Sequence, residues 1–422
     1  MSSRTIGFIE RHSLWTAAQK DAAEDVRKAI AGERIESVRV AFADQHGILR
    51  GKTYTSRAFE SVLVEGCAIT STLLLKDTSR RTAFPIWRKD GGLDPARLIG
   101  ASDFILVPDP ATFRPIPWAK KSAWILCDAY YHDGTAVPFS TRHLLRKVLS
   151  GLEGLGYAYL SGIELEFSVY RLVDAQLTHE SCTHPGRPPE VRPLTHGYQH
   201  LTEGRCDELE PVPEILREVL VALGLPLRTL EVEFGPSQME LTFDPVVGIE
   251  GADQLPLTRS AIKQVCKRHG YQATFMTRPA FANAFSSGWH LHQSLLDARN
   301  SGNIFASEEP GELLSPIGRS FLAGLLAHAK EACLLSTPTI NGYNRYSRSH
   351  SLAPKSHRLG QGQSWRHAAS RGCSGRQKES HREPHWRACG ESLSLLCVAD
   401  HLRRGWHAAS PGSAGGCRHA IR

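Results

Sequence analysis

Apolar periodicity organises this chain as far as Pro354 and then disappears, so any fold it reaches has to be built from the first 354 of its 422 residues. Charge marks the same boundary. Lys355 to Arg422 carries twelve Lys or Arg against four acids, a net of +8 in a chain of formal charge +7, which leaves residues 1–354 near −1. The same tail holds seven of the twenty His, four of the ten Cys and three of the eight Trp. The positive charge is therefore local, and nothing before the boundary reads as a nucleic-acid surface. Length suggests two or three domains. The N-terminus has no apolar stretch long enough for a signal peptide, and the longest apolar run elsewhere, around Phe321 to Ala327, is too short to span a bilayer. A cytoplasmic protein without membrane or nucleic-acid partners is expected. Its unevenly spaced cysteines read as reduced thiols.

Ahead of the boundary the pattern changes twice. Ala17 to Ala31 is rich in helix formers, and residues 1–30 read as an N-terminal helical extension. Glu36 to Asp44 alternates apolar and polar residues, Gln45-His46-Gly47 signals a turn, and Ile48 to Tyr54 alternates again, which predicts a hairpin. With a strand at Phe104 to Val107, these pieces define a β-rich domain over residues 31–130. From Thr141 helices and strands are interleaved. Helices are predicted at Arg142 to Gly154, Val212 to Leu223, Gln254 to His269 and Gly318 to Leu335. Strands are predicted at Tyr157 to Leu172, Arg228 to Phe243, around Ala273 to Met276 and at His290 to Leu295, with a polar loop from about Thr178 to Gly197. The hairpin-like order makes the fold class α+β, with residues 131–354 as a second domain and 355–422 as a disordered tail.

Chemistry concentrates in that second domain. Glu164-Leu165-Glu166 lies inside a strand-like run, where period 2 puts both carboxylates on one face. Two acids so placed either face water or share a cation. Glu233 and Glu240 flank a Gly-Pro turn, and His290, His292 and Ser294 share one strand face. Each is ordinary alone, since isolated Glu and His are mostly solvated or hydrogen-bonded. Together, four carboxylates and a His suit Mg²⁺ or Mn²⁺ better than zinc.

Seven segments occur in the order of the signature blocks of one family. They are Phe42-Ala-Asp-Gln-His-Gly47, Pro108-Asp-Pro-Ala-Thr112 with Pro117-Trp118, Glu164-Leu-Glu-Phe167, Gly235-Pro-Ser-Gln-Met-Glu240, Thr274-Phe-Met276, Gly288-Trp-His-Leu-His-Gln-Ser294 and Pro338-Thr-Ile-Asn-Gly-Tyr-Asn-Arg345. Over roughly residues 36 to 354 the chain resembles the glutamine synthetase family, ligases that use ATP as co-substrate. The resemblance implies a β-grasp domain, a catalytic domain with an antiparallel sheet and flanking helices, and a homo-oligomeric ring with active sites between subunits. It implies that Glu166, Glu233 and Glu240 hold one divalent cation and that Glu164 and His290 hold a second. His292 and Ser294 would lie near the nucleotide, Gly288 in the substrate loop, and Arg345 would grip the substrate carboxylate.

Three departures bear on the nucleophile. Ile69-Thr-Ser-Thr-Leu-Leu74 stands where the family carries Asp-Gly-Ser-Ser, Leu352 stands where a flap Glu is usual, and Phe285-Ser-Ser-Gly288 replaces Asn-Gly-Ser-Gly. Loss of the ammonium-site acids favours an organic amine over ammonia. Ligation of a glutamate-like acid to such an amine is the reading carried forward. Glutamine synthetase proper and a non-catalytic binding or regulatory relative are the alternatives, with phosphorylation lacking a ligation step as a third.

The tail has its own explanation. The family continues with Trp-Gly-Lys-Asp-Asn-Arg-Gly-Ala-Met-Leu-Arg and later Ile-Glu-Asn-Arg-Ile-Gly-Glu-Pro-Ala-Ala-Asn-Pro-Tyr-Leu-Tyr. Reading the last two bases of each codon with the first of the next permits all eleven of the first set over Leu359 to Ala369. The same shift permits all fifteen of the second over His381 to Leu395, and Trp365 and Trp386 each force the Gly the family has. The frame therefore slips near Lys355. The missing segment would supply phosphate-binding arginines and a metal-binding Glu, so the catalytic domain is incomplete and the chain as written is expected to be inactive.

Overall fold

The computed structural model describes residues 6–88 and 94–347 and, beyond them, the backbone of three short strands. In chain order, α1 (Phe8–Arg11) and α2 (Ala17–Gly32) precede β1 (Ser37–Ala43), β2 (Leu49–Thr55), α3 (Ser56–Glu65), β3 (Cys67–Thr70), α4 (Pro95–Leu98), β4 (Asp103–Pro108), β5 (Arg114–Pro115) and β6 (Ser122–Tyr130). Then come α5 (Thr141–Glu153), β7 (Tyr157–Asp174), β8 (Glu190–Pro193), α6 (Glu203–Leu209), α7 (Val212–Ala222), β9 (Leu227–Val232), β10 (Gln238–Phe243) and β11 (Val246–Val247). The chain continues through α8 (Glu250–Arg268), β12 (Tyr271–Thr274), β13 (Trp289–Asp297), α9 (Pro316–Ala327), α10 (Ala329–Ser336) and α11 (Ile340–Ser347), and on to β14 (Leu359–Gln361), β15 (Ala368–Ser370) and β16 (Trp386–Cys389).

The first sheet runs β2-β1-β6-β4-β3, with β1 and β6 parallel at its centre and β5 on β6. Alternation in β1 and β6 has a physical cause, because both faces are covered. Val38, Val40, Phe42, Ala123 and Ile125 meet Phe59 and Val62 of α3, while Ala41, Trp124 and Leu126 point into the core of the second domain. This is the β-grasp arrangement. Helix α2 starts at a capping box, in which the Thr16 hydroxyl accepts from the Gln19 amide N–H and the Gln19 side chain accepts from the Thr16 N–H.

The second sheet runs β14-β15-β16-β13-β7-β10-β9, and β8, β11 and β12 also pair with β7. Strand β7 is its axis. Ile163, Leu165, Phe167 and Val169 enter the core beside Leu216 and Leu220 of α7 and Ala261, Ile262 and Val265 of α8. The intervening Glu164, Glu166 and Ser168 are buried on the other face. Period 2 thus delivers the acids together.

Several expected elements differ. The run from Arg228 to Phe243 is a hairpin, β9 and β10, because Gly235-Pro236 turns the chain. The loop at 178–197 contains β8, paired with the end of β7. Helix α8 begins four residues before Gln254, since Gly251 and Pro256 look like breakers but sit in a closely packed turn; a Cβ on Gly251 would lie 2.4 Å from Ser161 Oγ. The helix read over Gly318 to Leu335 divides at His328 into α9 and α10. Within 355–422, β14, β15 and β16 extend the sheet from the edge of β13 by main-chain pairing, which is indifferent to side chains; the rest of that tail and Leu352 lie outside the described residues.

A buried ionic joint ties α5 and α8 to the first sheet. Arg142 of α5 donates from Nε and Nη2 to Asp253 of α8 at 2.8 Å each, from Nη1 to Asp128 of β6 at 2.7 Å and from Nη2 to Asp109 at 2.6 Å. Gln19 of α2 adds a bond to Asp109 at 3.0 Å, and Arg146 also pairs with Asp109 and Asp128. Burial alone would push Asp109 up, but the neighbouring Arg142 and Arg146 hold its carboxyl below the ordinary value.

Candidate metal and ligase site

Strand register assembles the site. On β7, Glu164 lies opposite His290 of β13, and Glu166 lies opposite Glu240 of β10, so four side chains from three strands converge on one face. His290 Nδ1 is 2.7 Å from Glu164 Oε2, and His292 Nε2 is 2.9 Å from Glu164 Oε1. Glu166 Oε2 accepts from Gly288 N–H at 2.9 Å and from Gln238 Nε2 at 3.0 Å. Glu233, at the end of β9, accepts its neighbour's N–H at 2.6 Å and lies 3.3 Å from His200 Nε2.

The electrostatics follow from this crowding. Burial pushes Glu164 up, but its two imidazole partners outweigh it and hold the carboxyl well below the usual range. Glu166 is raised to about 7 by burial and by Glu233, although His290 and Arg345 pull it down. Glu240 is raised to about 9 by burial and then by Glu166 and Glu164. Its Oε1 is buried with no hydrogen-bond partner. Left like this, Glu240 is an unfavourable residue.

Donor atoms of Glu164, Glu240 and His290 all lie within 4.8 Å of one another. This trio straddles the two ligand sets that the resemblance implies. An orphaned carboxylate oxygen and an oxygen-rich donor set with one imidazole fit a hard divalent cation. Arg345 stands on α11. A Cβ on Gly288 would lie 2.6 Å from Arg345 Nη2 and 2.9 Å from His290 Nε2, so glycine is what lets guanidinium and imidazole approach there. Arg345 also lines a small pocket with Thr277, Ser287, Trp289, Thr337 and Tyr346. Further along β13, Ser294 Oγ donates to Asn303 at 2.8 Å.

Two participants had no assigned role in the sequence. Gln238 sits two residues before Glu240 on the same strand face, a period-2 signal that was available. His200 reaches Glu233 from a distant loop, and no local pattern points to it.

Comparison with known proteins places this geometry in a family. Residues 138–390 match the family described as glutamine synthetase, catalytic domain. A gamma-glutamylanilide synthase from an Acinetobacter species is 41% identical over 360 residues, covering 83% of this chain and 71% of that protein. A glutamate–isopropylamine ligase from a Pseudomonas species is 30% identical over 325 residues, covering 76% of this chain and 67% of that protein. The fold is shared with ligand-free GmaS, at a TM-score of 0.70 and 23% identity over 90% of this chain and 79% of that one. The chain belongs to the glutamine synthetase family, carbon–nitrogen ligases that use ATP and a divalent metal. Among the described residues no helix is long and apolar enough to cross a membrane.

Proposed function

We propose that the reaction encoded by this fold joins the γ-carboxylate of glutamate, or a similar acid, to an organic amine through an acyl phosphate made from ATP, and that the frame slip leaves the chain as written unable to complete it. The observation that carries the reading is the buried cluster of Glu164, Glu166, Glu240 and His290 in a relative of ligases named for anilide and isopropylamine products. Mg²⁺ or Mn²⁺ bound there would neutralise the triphosphate and the transferring phosphoryl group. Glu166, Glu233 and Glu240 would hold one ion and Glu164 and His290 the other. Arg345 would bind the substrate carboxylate, with Gly288 giving it room, and His292 and Ser294 would face the nucleotide. The amine would then attack the acyl carbon, forming the amide C–N bond as the C–O bond to phosphate breaks, with inorganic phosphate leaving and the amine losing a proton.

Surroundings of the cluster favour an organic amine over ammonium. The segment in which the resemblance expects an ammonium-binding acid instead gives Ile69 and Leu74 to the core under the first sheet. Beside Glu233, Tyr198, Phe234 and Phe285 form an edge-to-face aromatic series, with centroids 5.5 and 4.9 Å apart, resting on Gly235. Such a wall suits an apolar substituent on the amine.

Resequencing across the codons for Arg345 to Arg371 is the first test. If the frame continues into Asn-Arg-Gly and Glu-Asn-Arg, the corrected protein should release phosphate from ATP only with metal, acid and amine together, and yield an amide. Ammonia outperforming every organic amine would overturn the nucleophile assignment. Phosphorylated acid without amide would overturn ligation, and ligand binding without turnover would favour the regulatory alternative. The chain as written should release no phosphate, and turnover by it would overturn the inactivity.

A further inference from the structure

The turn of the β1–β2 hairpin, within the first signature segment, touches the catalytic domain through a side chain that the proposed chemistry does not use. Asp44 fixes the turn, accepting from the N–H groups of His46 at 2.9 Å and Ile48 at 3.0 Å and pairing with Arg50 at 2.5 Å. Arg259 of α8 donates from Nη1 to the His46 carbonyl at 3.1 Å and to the Gly47 carbonyl at 3.4 Å. Gly47 has φ +65°, and a Cβ there would lie 2.8 Å from that same nitrogen. The turn is shaped to admit the guanidinium.

The other side of Arg259 faces the site. Its guanidinium carbon lies 4.9 Å from the ring centroid of Trp289 and 5.8 Å from that of Phe275. Trp289 Nε1 donates to the Glu166 carbonyl at 3.2 Å, and its chain neighbours are Gly288, whose N–H holds the Glu166 carboxylate, and His290. Phe275 stacks on Phe167, the residue after Glu166, with centroids 5.2 Å apart and planes at 19°. Of the two rings beneath Arg259, one bonds the Glu166 carbonyl and the other stacks on the next side chain along β7.

We propose that Arg259 is a positioning residue that couples the N-terminal hairpin turn to the carboxylate cluster, holding Trp289 in the place from which it fixes Glu166 and His290. A guanidinium can stack with its face and donate from its edge at the same time. An ammonium cannot reproduce both, so lysine should not substitute. The consequence for metal affinity rests on reading the cluster as a cation site, whereas the positioning itself does not.

The test uses the full chain labelled with 5-fluorotryptophan, the Trp289 ¹⁹F resonance being identified by its loss in Trp289→Phe. Gly47→Ala and Arg259→Lys should each move that resonance and leave the Trp15 resonance in place. Mn²⁺ titration followed by electron paramagnetic resonance should show each variant binding about tenfold more weakly. The double variant should be no worse than either single one, because both break the same contact. An unmoved Trp289 resonance in Gly47→Ala, or wild-type behaviour in Arg259→Lys, would overturn the coupling. If the unaltered chain takes up no Mn²⁺, Glu164, Glu166, Glu233, Glu240 and His290 do not hold the ion without the missing Glu, and the resonance alone decides the positioning claim.

Discussion

Glu240 shows how a site can work against its own fold. Its carboxyl, raised to about 9, keeps a proton in the folded chain that the unfolded chain releases near the ordinary 4.5. The stability it contributes is complete below the unfolded value and is lost as pH rises toward 9. Glu240→Gln should therefore stabilise the metal-free protein at pH 7 to 8 by on the order of 2 kcal/mol, read from urea melts, and abolish any stabilisation by Mg²⁺ or Mn²⁺. A cation must displace that proton. Mn²⁺ affinity should accordingly rise about tenfold per pH unit between pH 7 and 9 for one proton released, with the released proton counted by calorimetry in buffers of different ionisation enthalpy. Flat affinity across that window would mean that Glu240 is not a ligand. Period 2 placed Glu164 with Glu166 on one strand face and His290 with His292 and Ser294 on another, because it survives any error in strand ends; that these faces meet beside Glu240 depends on strand register. Gln238 was legible by the same period, two residues before Glu240, and was not assigned a role; His200 reaches Glu233 by a loop crossing that no local pattern encodes.

At the scale of elements, the readings that succeeded were long and strongly periodic, such as β7, α5 and β13. Those that failed turned on a few punctuating residues. Gly235-Pro236 was seen as a turn and yet left inside one strand. The helix read from Gln254 begins at Glu250, and Gly251 and Pro256 both lie within α8, where burial outweighs their poor propensity. Elements are held to one another by the Arg142 joint as much as by apolar packing. Removing its guanidinium leaves Asp109, Asp128 and Asp253 facing each other without their shared counterion. Arg142→Met should cost about 3 to 5 kcal/mol in urea unfolding, with Arg142→Lys recovering only part of it. A loss below 1 kcal/mol would mean that the aspartates find other partners.

For the molecule as a whole, α+β class, the β-grasp sheet and the family were all legible, because ordered motifs carry information that no single element does. Ring assembly remains a proposal, and light scattering on the frame-corrected protein should give a mass that is a multiple of the subunit. The central strand β7 also bears on how such a chain comes into being. Its partners in the body of the sheet, from β8 through β13, are all encoded before residue 298, well upstream of the frame slip proposed near Lys355. Because chains begin to fold as they leave the ribosome, the carboxylate face can be assembled before the residues beyond that proposed slip emerge. A translating cell would then handle a nearly finished body carrying a foreign tail, and quality control would have to act on the tail rather than on the body.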